Sequence, residues 1–362
     1  LVIRRILLAT VTIALVAAAN AGAAPVGETH RATFERTAAL RDAKHRPDLR
    51  ITVWYPAEAG AVERSLVIGP PDAPSFDVGA VAPDAAFADT TPRPVILLSH
   101  GFGGSARMMG WFGIALARSG YIVVAVDHPG NNGADKMTPA GALLYWDRPD
   151  DLRAALAATE HDPVIGPHMD FGRVGVAGFS AGGFTALAAA GARVDLGRFD
   201  RFCQANPNDG LCRPQIEFVI TAQDRDQFFQ LPQAAAEAAH AGDDHAVPGV
   251  RAAFTMAPAL VQSFDPASLA HMHTPVYIIL GDADPVATPA TNGMVAATLI
   301  PGAELEQLPG VGHYDFLATC TAQGAATRAV CKSAVPQSQT HRQAITAAKA
   351  FFARTLSPGE AP

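Results

Sequence analysis

Four residue sets in this chain are of types that could do chemistry together, and each follows an apolar run. Gly178-Phe179-Ser180-Ala181-Gly182 sets a serine between two glycines, directly after Val174-Gly-Val-Ala and directly before a small-residue stretch suited to a helix. A strand that must turn at once into a helix strains its backbone at the corner. Glycines on either side remove the side chains that would collide there and leave the serine hydroxyl clear of the sheet, the G-x-S-x-G elbow. Downstream come Asp282 and Asp284 in Gly281-Asp-Ala-Asp284, then His313 in Gly310-Val-Gly-His-Tyr-Asp-Phe316. A serine hydroxyl is too weakly acidic to attack a carbonyl unaided. It needs a base within hydrogen-bond reach and a carboxylate to fix the imidazole tautomer.

The fourth set, Ser99-His-Gly-Phe-Gly-Gly104, would supply hydrogen-bond donors. A tetrahedral intermediate requires two N–H groups aimed at its oxyanion, and Ala181, at a helix start, and Phe102, in the glycine-rich turn, are the candidates. A phosphate cradle would want G-K-[ST] after such glycines, which is missing. Each set alone has a bland reading: a flexible loop, turn aspartates, one surface histidine among twelve. The order serine, aspartate, histidine, with every member at a strand end, argues for chemistry.

Elements able to hold these residues alternate along the chain. Strand-like runs fall at residues 50–56, 95–98, 121–126, 173–178, 250–256, 275–280 and 303–308, with helix-like segments at 105–119, 150–159, 181–190, 233–240 and 339–355. Such alternation predicts an α/β fold with a mostly parallel central sheet and helices on both faces. Functional groups then gather at the carboxyl ends of the strands. Residues 69–94, rich in Pro and Ala, are expected to form a long loop. Residues 191–249 break the alternation and are expected to be an accessory insertion within one domain spanning 24–362.

Hydrophobic residues make up 49% of the 362, enough for a large core, and the formal charge of −7 without a basic run argues against a nucleic-acid partner. Arg4-Arg5, the apolar run 6–19 and the small residues of 19–23 have the three parts of a secretory signal peptide over 1–23. A periplasmic or secreted protein is expected, with no membrane attachment after cleavage. Four cysteines permit three connectivities. Cys203 with Cys212 and Cys320 with Cys331 are the local pairs, each closing a short loop. Metal binding would want C-x-x-C spacing; His271-Met-His273 and Asp243-Asp-His245 lack third and fourth ligands. Neither metal nor cofactor is expected.

"VWYPA", "LLSHGFGGS", "GYIVVAVDHPGN", "RPDDL", "GVAGFSAGG", "GDADPV" and "GVGHYDF" together resemble the dienelactone-hydrolase-like branch of the α/β-hydrolases, related to the platelet-activating-factor acetylhydrolases. The resemblance spans nearly all of 24–362 and implies the α/β-hydrolase fold, with both cysteine pairs at home in it. It departs from true dienelactone hydrolases, whose nucleophile is cysteine, because serine stands at 180. The platelet-activating-factor enzymes take their acid from the preceding strand, and here that strand ends Met256-Ala-Pro258 without a carboxylate. The pattern G-x-x-D therefore places the acid at Asp284, leaving Asp282 to hold the turn. The expectation is a serine hydrolase of small-molecule carboxylic esters, short or soluble acyl esters in particular, working through an acyl-enzyme on Ser180, His313 and Asp284. Acyl transfer or peptide hydrolysis with the same residues, and a binding protein that only keeps the fold, are the alternatives.

Overall fold

Uninterrupted apolar runs such as Val95-Ile-Leu-Leu98 and Ile122-Val-Val-Ala-Val126 can be satisfied only where both faces of a strand are covered. A computed structural model, which describes residues 24–358, places them at the centre of an eleven-stranded sheet. The expected signal peptide at 1–23 lies outside the described residues. The strands are β1 (Val26–Phe34), β2 (Asp48–Pro56), β3 (Arg64–Ile68), β4 (Phe76–Pro83), β5 (Arg93–Ser99), β6 (Ile122–Asp127), β7 (Met169–Phe179), β8 (Val250–Met256), β9 (Val276–Gly281), β10 (Glu304–Leu308) and β11 (Thr319–Cys320). Their order is β10-β9-β8-β7-β5-β6-β2-β1-β4-β11, with β3 beside β4. From β10 to β6 every pairing is parallel, whereas β2 joins β6, and β1 joins β2, antiparallel.

Alternation along each strand splits the core into two layers. Leu49, Ile51, Val53, Val95, Leu97 and Val124 face one side, where α2 (Arg148–Glu160) and α3 (Ala181–Ala189) pack. Trp54, Ile96, Leu98, Val123 and Phe254 face the other, covered by α1 (Gly110–Arg118) and the carboxyl-terminal helix Gln337–Thr355. Between β7 and β8 the segment 191–249 contributes three further helices: α4 (Leu196–Ala205), α5 (Ala222–Phe229) and α6 (Pro232–Ala239). Among the described residues no helix is long and apolar enough to cross a membrane.

Residues 69–94 are not one long loop. β4 lies inside that span and pairs with β1, β3 and β11. Its alternation, with Phe76 and Val78 buried on either side of exposed Asp77, is interrupted by Gly79 at a φ of 127° and closed by Pro83, so loop-forming residues mask a short edge strand. β1, equally unforeseen, buries only its first four residues and thereafter alternates at the surface.

The cysteines pair locally, Cys203 with Cys212 and Cys320 with Cys331. The second bridge fastens β11, which pairs with β4 a few residues after His313. Peptide mapping without reduction is expected to recover both linkages. Replacing Cys320 and Cys331 together by serine is expected to lower stability by about 2–3 kcal/mol, read from the melting transition. A crossed linkage, or an unchanged transition, would contradict this.

Near that bridge, His341 of the carboxyl-terminal helix stacks on Trp111 at 3.8 Å between ring centroids and donates through Nε2 to the Leu317 carbonyl at 2.8 Å. Burial lowers its pKa from the ordinary 6.5 to about 4, so the folded state favours the neutral ring. Its contribution to stability is complete above about pH 6.5 and is lost as the pH falls towards 4, a change on the order of 3 kcal/mol. His341→Leu should therefore flatten the acid side of the stability profile, measured by denaturant unfolding at pH 7 and pH 4.5. An equally steep fall in the variant would refute the assignment.

Candidate active site

Ser180 stands where β7 must turn into α3, and it takes φ 56° and ψ −118°, a conformation costly for any residue with a Cβ. A Cβ on Gly178 would lie 2.0 Å from the Gly182 carbonyl oxygen, and one on Gly182 would lie 2.0 Å from that of Ser99. Only glycines permit so close an approach. The corner is fixed from outside as well: Ser180 N–H donates to Met256 O at 2.9 Å, and Ser180 O accepts from Ala259 N–H at 3.1 Å and from Gly183 N–H at 2.8 Å.

Gly281 has a similar part at the end of β9, where a Cβ would meet the Val311 carbonyl oxygen at 2.0 Å. This contact lets the 310–316 loop close on the strand end, held by Asp282 N–H to Leu308 O and Ala283 N–H to Val311 O, both 3.1 Å. The two aspartates then separate in role. Asp282 accepts from Gly310 N–H at 2.7 Å and so pins the loop. Asp284 accepts from Val286 and Ala287 N–H with one oxygen and takes the His313 Nδ1–H bond with the other, at 2.6 Å. Ser180 Oγ lies 2.9 Å from His313 Nε2. Asp284, His313 and Ser180 are 5%, 4% and 6% exposed, so the row is screened from bulk water while Ser180 and His313 still line a cavity.

Phe102 and Ala181 line the same cavity. Among the described residues, no tertiary hydrogen bond takes up either backbone N–H. The neighbouring donors are engaged, Gly103 N–H with Asn131 Oδ1 at 2.9 Å and Gly104 N–H with Gly101 O at 3.1 Å. The cavity measures about 1100 Å³, and helices α4 and α5 of the 191–249 segment form much of its far wall. His271, His273, Asp243 and His245 lie apart from it: His245 bonds to Asp150 at 2.9 Å and the other three lie at exposed positions.

Sequence reasoning missed a second Ser–His–Asp row. Ser99 Oγ is 2.8 Å from His128 Nε2, and His128 Nδ1–H donates to Asp151 at 2.6 Å. Asp151 is held in turn by both terminal nitrogens of Arg41, at 2.9 and 2.6 Å, and Arg41 reaches Glu35 at 2.7 Å. Arg148 joins the row to the site, donating through Nη2 to the Ser99 hydroxyl and the His100 carbonyl, and through Nε to Thr185 Oγ1 at 3.0 Å. Thr185 Oγ1 donates onward to Ala181 O at 2.9 Å. Arg148 thus bridges the turn carrying Phe102 and the helix carrying Ala181.

All three members of this row are 0% exposed, and none lines the cavity. Burial holds the His128 and His100 imidazoles well below their ordinary range, with the Arg148 charge acting in the same direction, and lowers Arg148 itself to about 9. A hydroxyl no substrate can reach does no acyl chemistry. The signal was in the sequence, since His128 lies in the "DHPGN" stretch and Arg148 and Asp151 in "RPDDL", but nothing in the spacing says that the two meet.

The alpha/beta hydrolase family profile matches residues 95–323, more than half the chain, from β5 past His313. The chain belongs to the alpha/beta hydrolase family. A ferulic acid esterase from Streptomyces cinnamoneus has the same fold as this hydrolase, with a TM-score of 0.60 at 20% identity over 95% of this chain and 94% of that one. A looser likeness, TM-score 0.47 at 15% identity, covers 91% of this chain and 39% of a Mycobacterium tuberculosis puromycin-hydrolyzing peptidase. No curated protein matches the sequence.

The buried row yields a contrast between adjacent aspartates. Asp151→Asn removes the charge that offsets Arg41 in the core and is expected to destabilise the hydrolase by about 3–5 kcal/mol. Asp150→Asn, at a partly exposed carboxylate whose partners are the exposed Arg153 and the ring of His245, should cost about 1 kcal/mol. Denaturant midpoints of the two variants test this, and equal losses would show that the buried network is not what Asp151 supports.

Proposed function

We propose that the protein is a serine esterase, a hydrolase of carboxylic esters that works through an acyl-enzyme. The observation that carries the reading is the bonded row Asp284, His313, Ser180 opening on a cavity beside two uncommitted N–H groups. His313 takes the Ser180 proton as the hydroxyl attacks the ester carbonyl, and Asp284 holds the ring in the tautomer whose Nε2 is free to accept. Charge that develops on the carbonyl oxygen is met by the N–H groups of Phe102 and Ala181. His313 then protonates the leaving alcohol, and a water activated by the same ring releases the acid.

Ester substrates have a precedent on this fold in the Streptomyces ferulic acid esterase. The dienelactone-hydrolase-like branch is the finer placement that the quoted motifs favour. Export belongs to the same reading, and two disulfides with no free cysteine among the described residues suit an oxidising compartment.

Three variants test the assignment. Ser180→Ala is expected to stay folded and lose activity on the order of 10⁶-fold. Asp284→Asn, which favours the wrong histidine tautomer, should lose on the order of 10⁴-fold in turnover. Asp282→Asn should mainly lower the melting temperature, because its bond pins the loop. Near-normal ester turnover by Ser180→Ala would overturn the mechanism, and an inactive Asp282→Asn beside an active Asp284→Asn would move the acid by two residues.

A further inference from the structure

The cavity is far larger than a short acyl ester needs, and its walls have a definite character. We propose that it takes a bulky, uncharged ester bearing a ring or similarly rigid apolar group, and turns away esters that carry a carboxylate or phosphate. The inference rests on the reading of Ser180 as the nucleophile, and it names the substrate class of that same site.

Volume is the first argument. At about 1100 Å³ the cavity is slightly larger than the usual range for sites that bury most of a drug-sized ligand. An acetyl group would leave nearly all of it to water. The lining is the second. Phe102 and Phe179 come from the sheet side, and Phe199, Phe218 and Phe229 from the 191–249 segment opposite, with Phe229 stacked on Trp146 at 6.4 Å. Aromatic walls on both sides favour a ring between them, through area burial and through edge-to-face or offset contacts.

Charge is the third argument. Besides His313, Arg225 is the one basic residue among the described residues lining the cavity, and both its terminal nitrogens are taken by the two Asp200 oxygens. Two more carboxylates, Glu217 and Asp226, line the cavity at solvent-exposed positions, and neither forms an ion pair among the described residues. Glu217 accepts from the Tyr314 hydroxyl at 3.0 Å, next in sequence to His313. Burial and the Glu217 charge hold the Tyr314 phenol above its ordinary range, so it stays a donor. An anionic substrate would give up part of its hydration here and meet like charge in place of a counter-ion, an unfavourable exchange.

Steady-state kinetics on the full chain test this, with Ser180→Ala as the blank and fluorophosphonate labelling of Ser180 as a separate measure of the nucleophile. For size, 4-nitrophenyl 3-phenylpropanoate is compared with 4-nitrophenyl acetate, each rate divided by its hydroxide-catalysed rate. For charge, acetate release from methyl 4-acetoxybenzoate is compared with that from 4-acetoxybenzoate, which keeps the acetyl group and ring but carries a carboxylate. The expected results are at least a tenfold higher normalised kcat/KM for the phenylpropanoate and at least a tenfold preference for the neutral acetoxybenzoate. Glu217→Gln combined with Asp226→Asn should shrink the charge preference at least threefold. Labelling of Ser180 with equal or reversed preferences, or a charge preference untouched by the double variant, overturns the substrate class and leaves the esterase reading standing. No labelling and no hydrolysis above the blank overturns both.

Discussion

The strained corner at Ser180 ties together the ends of β5, β7 and β8 and the start of α3. A residue with a Cβ sits at positive φ, at a cost of about 1–3 kcal/mol, and the surrounding backbone must over-determine that geometry for it to persist. The carbonyl oxygens of Gly182 and Ser99 occupy the space that side chains at 178 and 182 would need, so β7, β5 and α3 are locked at van der Waals contact. Bonds from Met256 and Ala259 bring the end of β8 into the same lock. The position of the hydroxyl is therefore set by the packing of three strands and a helix.

Polar groups behind that corner carry a heavier demand than those in front of it. Ser99, His128, Asp151, Arg41 and Arg148 are all buried, and charge in a low-dielectric interior is tolerated only where it is paired and bonded. The two-point contact of Arg41 with Asp151 meets most of that demand, and the bonds of Arg148 to the His100 carbonyl and Thr185 carry rigidity forward to the turn beside Phe102. Two rows of the same three residue types, Asp284–His313–Ser180 and Asp151–His128–Ser99, thus lie in one molecule. Access separates them: one borders the cavity and the other is sealed by the helices that cover β5 and β6.

Segment 191–249 builds one wall of the cavity over the strand ends, which stays open to solvent on one side. Its helices bury little on their own account, with no buried residue in α4 and one each in α5 and α6. The Cys203–Cys212 bridge and the Asp200–Arg225 pair hold it together internally. A cover built this way can vary in its inward-facing residues at small cost to the sheet beneath, which suits a surface that selects substrates.

Much of this protein can be read along the chain alone. Buried strands announce themselves by unbroken apolar runs, the elbow by glycines that only a tight corner requires, and the order serine, aspartate, histidine by its agreement with strand ends. The bond of His313 to Asp284, with Asp282 on the Gly310 N–H, is the arrangement that the G-x-x-D pattern of the family resemblance implied. β4 was not legible, since Gly79 and Pro83 give a short edge strand the composition of a loop and its pairing with β1 is non-local. Nor was the partnership of His128 with Asp151, or of Arg148 with the His100 carbonyl, because those contacts join residues 23 and 48 positions apart through the crossing of a strand end and a helix. Local spacing encodes local geometry. Which of two serines can be reached, and how large a space lies over it, depends on how distant elements stack, and that follows from packing rather than from spacing.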